Sequence, residues 1–229
     1  MANHDQTHKA ERSNRRWVNA ASIGAFTAWL AAAGIALGAI ADYASKPGVA
    51  APAPTSWPTE SRLARSPGRA TLVMIAHTKC ACTRASLHEL ERVMARAGSR
   101  AEAFVVFVGP SESTGTAGLL DLRSTARAIP GVRVVEDANE ARLFGAATSG
   151  QVVVYDDHGS LVFRGGITSA RGHEGDSAGN EAVRRFVVTG VSPAGSASNT
   201  SATEVFGCAL FDNHNATSGV KASGSGKEP

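Results

Sequence analysis

The apolar residues of this chain fall into one long uncharged stretch followed by a series of short runs. The stretch Trp17 to Ile40 (WVNAASIGAFTAWLAAAGIALGAI) holds no charged residue, and a helix needs about 20 such residues to cross a bilayer. After it, 44–68 is rich in Pro and Ala and shows no hydrophobic period, which reads as a semi-extended spacer. Thr71–Ala76 (TLVMIA) is a short continuous apolar run, the pattern of a buried parallel strand. From Arg84 onward, Leu87, Leu90, Val93, Met94 and Ala97 recur at helical spacing, and Gly98 closes the segment. Ala103–Val108 (AFVVFV) is a second buried strand, so the three segments make a βαβ unit with a right-handed crossover. A helix is expected over Ala117–Ala128, ended by Pro130, then a strand at Val132–Val135 and a helix at Ala138–Phe144 closed by Gly145. Gln151–Tyr155 and Leu161–Arg164 flank Asp156-Asp157-His158-Gly159, the turn chemistry of a hairpin. Gly179–Thr189 is the last helix, with Val183, Phe186 and Val187 inward.

Charge orients the long stretch. Arg15 and Arg16 precede it and Asp42 follows, which places the N-terminus in the cytoplasm and the remainder outside. A cleaved signal peptide is the competing reading, but the stretch exceeds the usual apolar region of 7–15 residues, so a retained anchor is favoured. Net charge is +3, and part of the excess sits in the N-terminal tail (Lys9, Arg12, Arg15, Arg16). Without interleaved aromatics and arginines this is no nucleic-acid footprint. The last forty residues are rich in Ser, Gly, Ala, Asn and Thr and are expected to be mostly disordered. The apolar island Glu204–Phe211 is the exception and should dock on the domain.

The three cysteines, Cys80, Cys82 and Cys208, all lie beyond the anchor, in a disulfide-permissive compartment if that is the periplasm. Cys80-Ala81-Cys82 falls where a buried strand hands over to a helix, the strand end where ligand sites gather. Unpaired N–H groups and the helix dipole favour thiolate there, and Lys79 and Arg84 add positive charge nearby. A ring closed between cysteines one residue apart is strained and easily reduced. Such a pair acts as an oxidant or isomerase, or stays open and binds metal. Cys80 is the expected nucleophile. Cys208, within Val205-Phe206-Gly207-Cys208-Ala209-Leu210-Phe211, is either a resolving thiol, a third metal ligand, or a packing residue in a hydrophobic clasp. The segment Gly165 to Asp176 (GGITSARGHEGD) precedes the last helix, and His173 within it is a candidate base, thiolate partner or ligand. The alternative is a polar loop in which Asp176 or Ser177 caps the helix. His77, three residues before Cys80, is a further candidate ligand or a structural histidine.

Residues 70–190 resemble the thioredoxin superfamily, in particular membrane-tethered bacterial members related to its TlpA, peroxiredoxin and Sco branches. The half VVEDANEARLFGAATSGQVVVYDDHGSLVFRGG is similar to their strand-helix-hairpin half. HTKCACTRASLHEL, FRGGITSARGHEGDSAG and VFGCALF resemble the RedB-like proteins of bacteria, which implies a thioredoxin-like fold and no particular mechanism. Two departures bear on activity. The usual CxxC is CxC here, and the stretch before the hairpin, Ala147-Thr148-Ser149-Gly150, lacks the proline that thioredoxins hold in cis. The threonine-proline-cysteine signature of peroxiredoxins is missing too, so peroxidase activity is not expected.

The expected fold class is therefore α/β, a thioredoxin-like mixed sheet with helices on both faces, preceded by one transmembrane helix. Residues 1–16 form a cytoplasmic basic tail, 17–41 the anchor, 42–69 the linker, 70–191 the domain and 192–229 the tail with its docked segment 204–211. The expected function is a thiol–disulfide oxidoreductase or isomerase of the bacterial inner membrane. It would carry no cofactor, act on protein thiols or disulfides in the periplasm, and use Cys80, Cys82, Cys208 and His173. The alternative is a chaperone for copper(I) or zinc held by Cys80, Cys82, Cys208 and His77. A third reading keeps the fold as a binding module with unreactive cysteines.

Overall fold

The computed structural model describes residues 3–49, 51–78, 80–109, 122–191 and 200–211. It divides into two compact units, residues 1–45 and 46–229. The first unit is a helix, α1 (Asn3–Ser45). Within it, Ala21–Ser45 is long and apolar enough to cross a membrane. Ile23, Phe26, Trp29, Leu37 and Ile40 all point outward, as side chains facing lipid would. The helix continues through 3–16, so the basic tail is helical rather than a separate element.

The second unit holds β1 (Ala70–His77), α2 (Ala81–Ala97), β2 (Ala101–Val108), α3 (Leu122–Ala128), β3 (Val132–Glu136), α4 (Ala138–Leu143), β4 (Gln151–Tyr155), β5 (Leu161–Gly166), α5 (Ala178–Thr189) and β6 (Ser201–Ala202). The strands form one sheet in the order β3-β2-β1-β4-β5-β6. β1, β2 and β3 run parallel, β4 is antiparallel to β1, and β5 returns antiparallel to β4. This is the expected thioredoxin-like fold. The hairpin turn forms as its residues dictate: Asp156 Oδ1 accepts the N–H groups of His158 and Ser160, and Gly159 supplies φ 86°. The start of the expected helix over Ala117–Ala128 lies outside the described residues.

Strand alternation builds two cores. Leu72, Met74, Val105, Phe107, Val152 and Val154 meet Leu87, Leu90, Val93 and Met94 of α2 and Val183 and Val187 of α5. Val73, Ile75, Phe104, Val106, Val153 and Tyr155 face the opposite side, against Phe144, Leu63 and Leu210. Burial of each large aliphatic side chain is worth about 1.5–3 kcal/mol, which is why period-2 strands lock their register.

The linker expected over 42–69 requires correction, because the folded unit starts at Lys46. The Pro-rich segment runs along the second core rather than away from it. Trp57 packs edge-on against Phe144 and Tyr155, with ring centroids 4.9 and 5.2 Å apart. Leu63 is buried. The buried Tyr155 hydroxyl donates to the Pro54 carbonyl at 3.0 Å. Further along, the Arg62 N–H donates to Glu140 and the Ser66 N–H to Glu102, at 2.7 and 2.6 Å. An extended segment that buries isolated residues leaves no period to read.

The tail segment docks. β6 pairs parallel with β5 through Phe163↔Ser201 and Arg164↔Ala202. Val205, Phe206 and Leu210 are buried, and Arg142 stacks on Phe211 at 4.1 Å. The remaining parts of 192–229, at 192–199 and 212–229, lie outside the described residues.

Candidate active site

The site forms at the carboxyl end of β1, where three separate segments converge. Cys80 is the N-cap residue of α2, with extended backbone (φ −113°, ψ 124°). Cys82 sits in the first turn, and both are almost fully buried, at 4% and 7% exposure. The second segment is 147–150, whose Gly150 N–H donates to the Ile75 carbonyl at 2.8 Å and so lies beside β1. Ser149 ties the two together. Its Oγ accepts the His77 N–H at 2.9 Å and meets Thr83 Oγ1 at 2.9 Å, while Thr83 Oγ1 donates to the His77 carbonyl at 3.0 Å.

The third segment is the tail. It adds to 147–149 as a short antiparallel pairing, with a Thr148↔Ala209 bridge. The Ser149 N–H donates to the Cys208 carbonyl at 2.8 Å, and the Leu210 N–H to the Ala147 carbonyl at 2.9 Å. An Arg171 guanidinium N–H donates to the Gly207 carbonyl. This brings the Cys208 sulfur to 3.0 Å from that of Cys80, across 128 positions of sequence. All three cysteines are free thiols, and Cys208 alone is exposed.

The three sulfurs do not share charge equally. The pKa of Cys80 falls from its ordinary 9.0 to about 4, chiefly because the Cys82 thiol donates to it. Burial opposes the shift, and the Cys208 thiol and the N–H groups of Thr83 and Cys82 reinforce it. Cys82 is correspondingly pushed far up by the hydrogen bond it gives, by burial and by the neighbouring thiolate. The Gly172 N–H faces Cys82 and partly offsets this. Burial and the bond to Cys80 raise Cys208 to about 11, with Arg171 pulling the other way. The reduced site is thus one thiolate at a helix N-terminus, held by two thiol donors.

His173 is exposed, and its backbone N–H donates to the Ala170 carbonyl at 3.3 Å. The groups of its loop that bear on the thiols are Arg171 and Gly172 instead. The loop is held to α2 by the buried Glu89, which accepts the Gly175 N–H and the Asn180 amide, each at 2.7 Å, and by a His88–Glu174 contact of 2.9 Å. Ser177, not Asp176, caps α5 through Asn180 N–H. His77 serves the site through its backbone, and its Nε2 lies toward Gly109. Arg84 is exposed, and Lys79 lies outside the described residues. Among the described residues, no group of three or more His, Cys, Asp or Glu is arranged to hold a metal ion. Sequence reasoning missed Ser149, Thr83 and Gly207. The one signal was a glycine directly before a cysteine in an apolar island.

The sequence matches no protein-family profile and no curated protein. Solved structures do match by shape. An uncharacterized conserved protein from Geobacillus kaustophilus aligns with TM-score 0.51 and 16% identity, over 75% of this chain and 95% of that one. A hypothetical protein from Sinorhizobium meliloti aligns at 0.49 and 20%, over 62% and 79%. The thioredoxin domain of a thiol-disulfide oxidoreductase from Bacteroides vulgatus aligns at 0.36 and 16%, over 62% and 98%. Similarity at this level concerns the fold.

Proposed function

We propose that this protein is a membrane-anchored thiol–disulfide oxidoreductase or isomerase whose redox pair is Cys80 and Cys208. The observation that carries the reading is the 3.0 Å approach of those two sulfurs, one a stabilised thiolate and the other on a docked strand. Cys82 supplies the S–H donor that keeps Cys80 ionised, so the Cys-x-Cys pair works as nucleophile and donor rather than as a closed ring.

In the reducing direction the Cys80 thiolate attacks a substrate disulfide. A Cys80–substrate bond forms, the substrate S–S bond breaks, and the departing thiolate takes a proton from water. Neutralising Cys80 removes the nearby charge that helped hold the proton on Cys208. Cys208 gives its proton to water, its thiolate attacks the Cys80 sulfur, and the Cys80–substrate bond breaks to release the second substrate sulfur as a thiolate. The substrate disulfide is reduced by two electrons and a Cys80–Cys208 disulfide is formed.

The helix Ala21–Ser45 is the anchor in this reading. The charge asymmetry around it supports a domain in the bacterial periplasm, where disulfides persist and partner proteins present thiols or disulfides.

The test is mass mapping of the full-length chain, purified in detergent and treated with oxidised glutathione. Free thiols are alkylated before and after mild reduction, with metal counted in the same sample. A reversible Cys80–Cys208 bond with Cys82 alkylated is the expected result. Three free thiols after oxidation would sink the reading, and about one bound metal per chain alongside them would move it to metal delivery.

A further inference from the structure

The exchange chemistry proposed above, on which this inference rests, can begin at either sulfur of the oxidised pair. The fold presents the two very differently. Cys80 is 4% exposed and lies beneath the tail. Cys208 is exposed, on an extended segment fixed at several points. Its own carbonyl accepts the Ser149 N–H, and two residues on the Leu210 N–H reaches Ala147. On the other side, Arg171 clamps the Gly207 carbonyl. A Cβ at Gly207 would collide with the Ser149 carbonyl oxygen, so the tail backbone lies as close to 147–149 as a chain can. Val205, Phe206 and Leu210 bury the flanks of the segment and leave Cys208 outward.

We propose that Cys208, on the tail, is the sulfur that incoming thiols attack, and that Cys80 beneath it is the departing thiolate. The step starts from the Cys80–Cys208 disulfide and the thiolate of a protein cysteine. The incoming sulfur bonds to Cys208 Sγ, the Cys80–Cys208 bond breaks, and its electron pair leaves on Cys80. There the Cys82 thiol and the N–H groups of Cys82 and Thr83 receive the charge. A second thiolate of the same partner then attacks the partner's sulfur in the mixed disulfide. The partner leaves as a disulfide, and Cys208 takes a proton from water. Two electrons have passed from partner dithiol to the chain, and exchange with a protein or small-molecule disulfide restores the pair.

Exchange runs faster when the leaving sulfur has the lower pKa and the attacked one is accessible. Both conditions select Cys208 as target. Attack at Cys80 would need a nucleophile to reach a buried sulfur and expel the poorer leaving group of the two. Cys82 is 7% exposed and offers no easier route.

The test uses the full-length chain in detergent, oxidised until the Cys80–Cys208 bond is complete. Reduced glutathione is added, samples are quenched in acid at early times, free thiols are alkylated and peptides are mapped. Glutathione on Cys208 should exceed that on Cys80 at least about tenfold, with Cys80 alkylated in the same molecules. Equal or greater labelling of Cys80 overturns the proposal. The same experiment on Cys82→Ser removes any shuffling through the third thiol. A persisting Cys208 adduct supports the assignment, and a shift to Cys80 overturns it. Failure of the underlying exchange reading is separately visible. No Cys80–Cys208 bond would form on oxidation, before any glutathione thiol is added.

Discussion

Cys80 owes its acidity chiefly to the thiol donor at Cys82, and that dictates how it titrates. In the reduced chain, ultraviolet thiolate absorbance should rise through about pH 4 and then hold flat to neutrality. No further thiolate should appear until the solution approaches about pH 11, where Cys208 ionises. The sign follows from the lowered value: Cys80 is charged above it and loses reactivity as pH falls through it. Absence of thiolate until about pH 9 would refute the donor assignment. Cys82→Ala should move the Cys80 titration upward, because the largest stabilising contribution is lost. Ser149 matters differently. Its hydroxyl accepts the His77 N–H and meets Thr83, so Ser149→Ala leaves a backbone donor without its partner. The expected loss is about 1–3 kcal/mol in denaturant unfolding, and a change below about 0.3 kcal/mol would show that the brace is idle.

Among the elements, the regular strands and helices were legible because their periods are strong. TLVMIA, AFVVFV and the Leu87–Ala97 spacing each correspond to an observed element within a few residues. The Cys80–Cys82 position at a strand-to-helix junction was legible too, since it depends on neighbours in sequence. Two things were not. The 46–69 wrap makes contacts through single residues such as Trp57 and Leu63, which carry no period. The choice among the three roles open to Cys208 could not be made from sequence either, because hydrogen bonds between 147–149 and 208–210 are backbone pairings that any sequence could make. The tail pairing does carry one side-chain requirement. Gly207→Ala places a methyl against the Ser149 carbonyl and should detach the tail locally. Its measure is the fraction of Cys80–Cys208 disulfide formed at fixed glutathione ratio, expected to fall about tenfold or more. On the other face of α2, Glu89→Ala strips partners from the Gly175 N–H and the Asn180 amide. A cost of about 1–3 kcal/mol is expected in chemical unfolding.

On the scale of the whole folded unit, the proposed redox pair joins the start of α2 to the docked tail. A bond between Cys80 and Cys208 spans 128 positions, and closing a loop of that size removes entropy from the unfolded chain worth up to about 5 kcal/mol. The oxidised form should therefore resist urea better than the reduced one, with a higher midpoint. Equal midpoints would mean that forming the bond strains the fold by as much as it restricts the unfolded chain. The same span sets an order of events during biosynthesis. Chains emerge from their first residue onward, at about 5–20 residues per second, so in the proposed orientation Cys80 and Cys82 would reach the outside of the membrane several seconds before Cys208 exists. For that interval the helix cysteines would have only each other within the chain, and under the proposed function a slowly exported domain would carry a strained Cys80–Cys82 pairing for the arriving tail to replace.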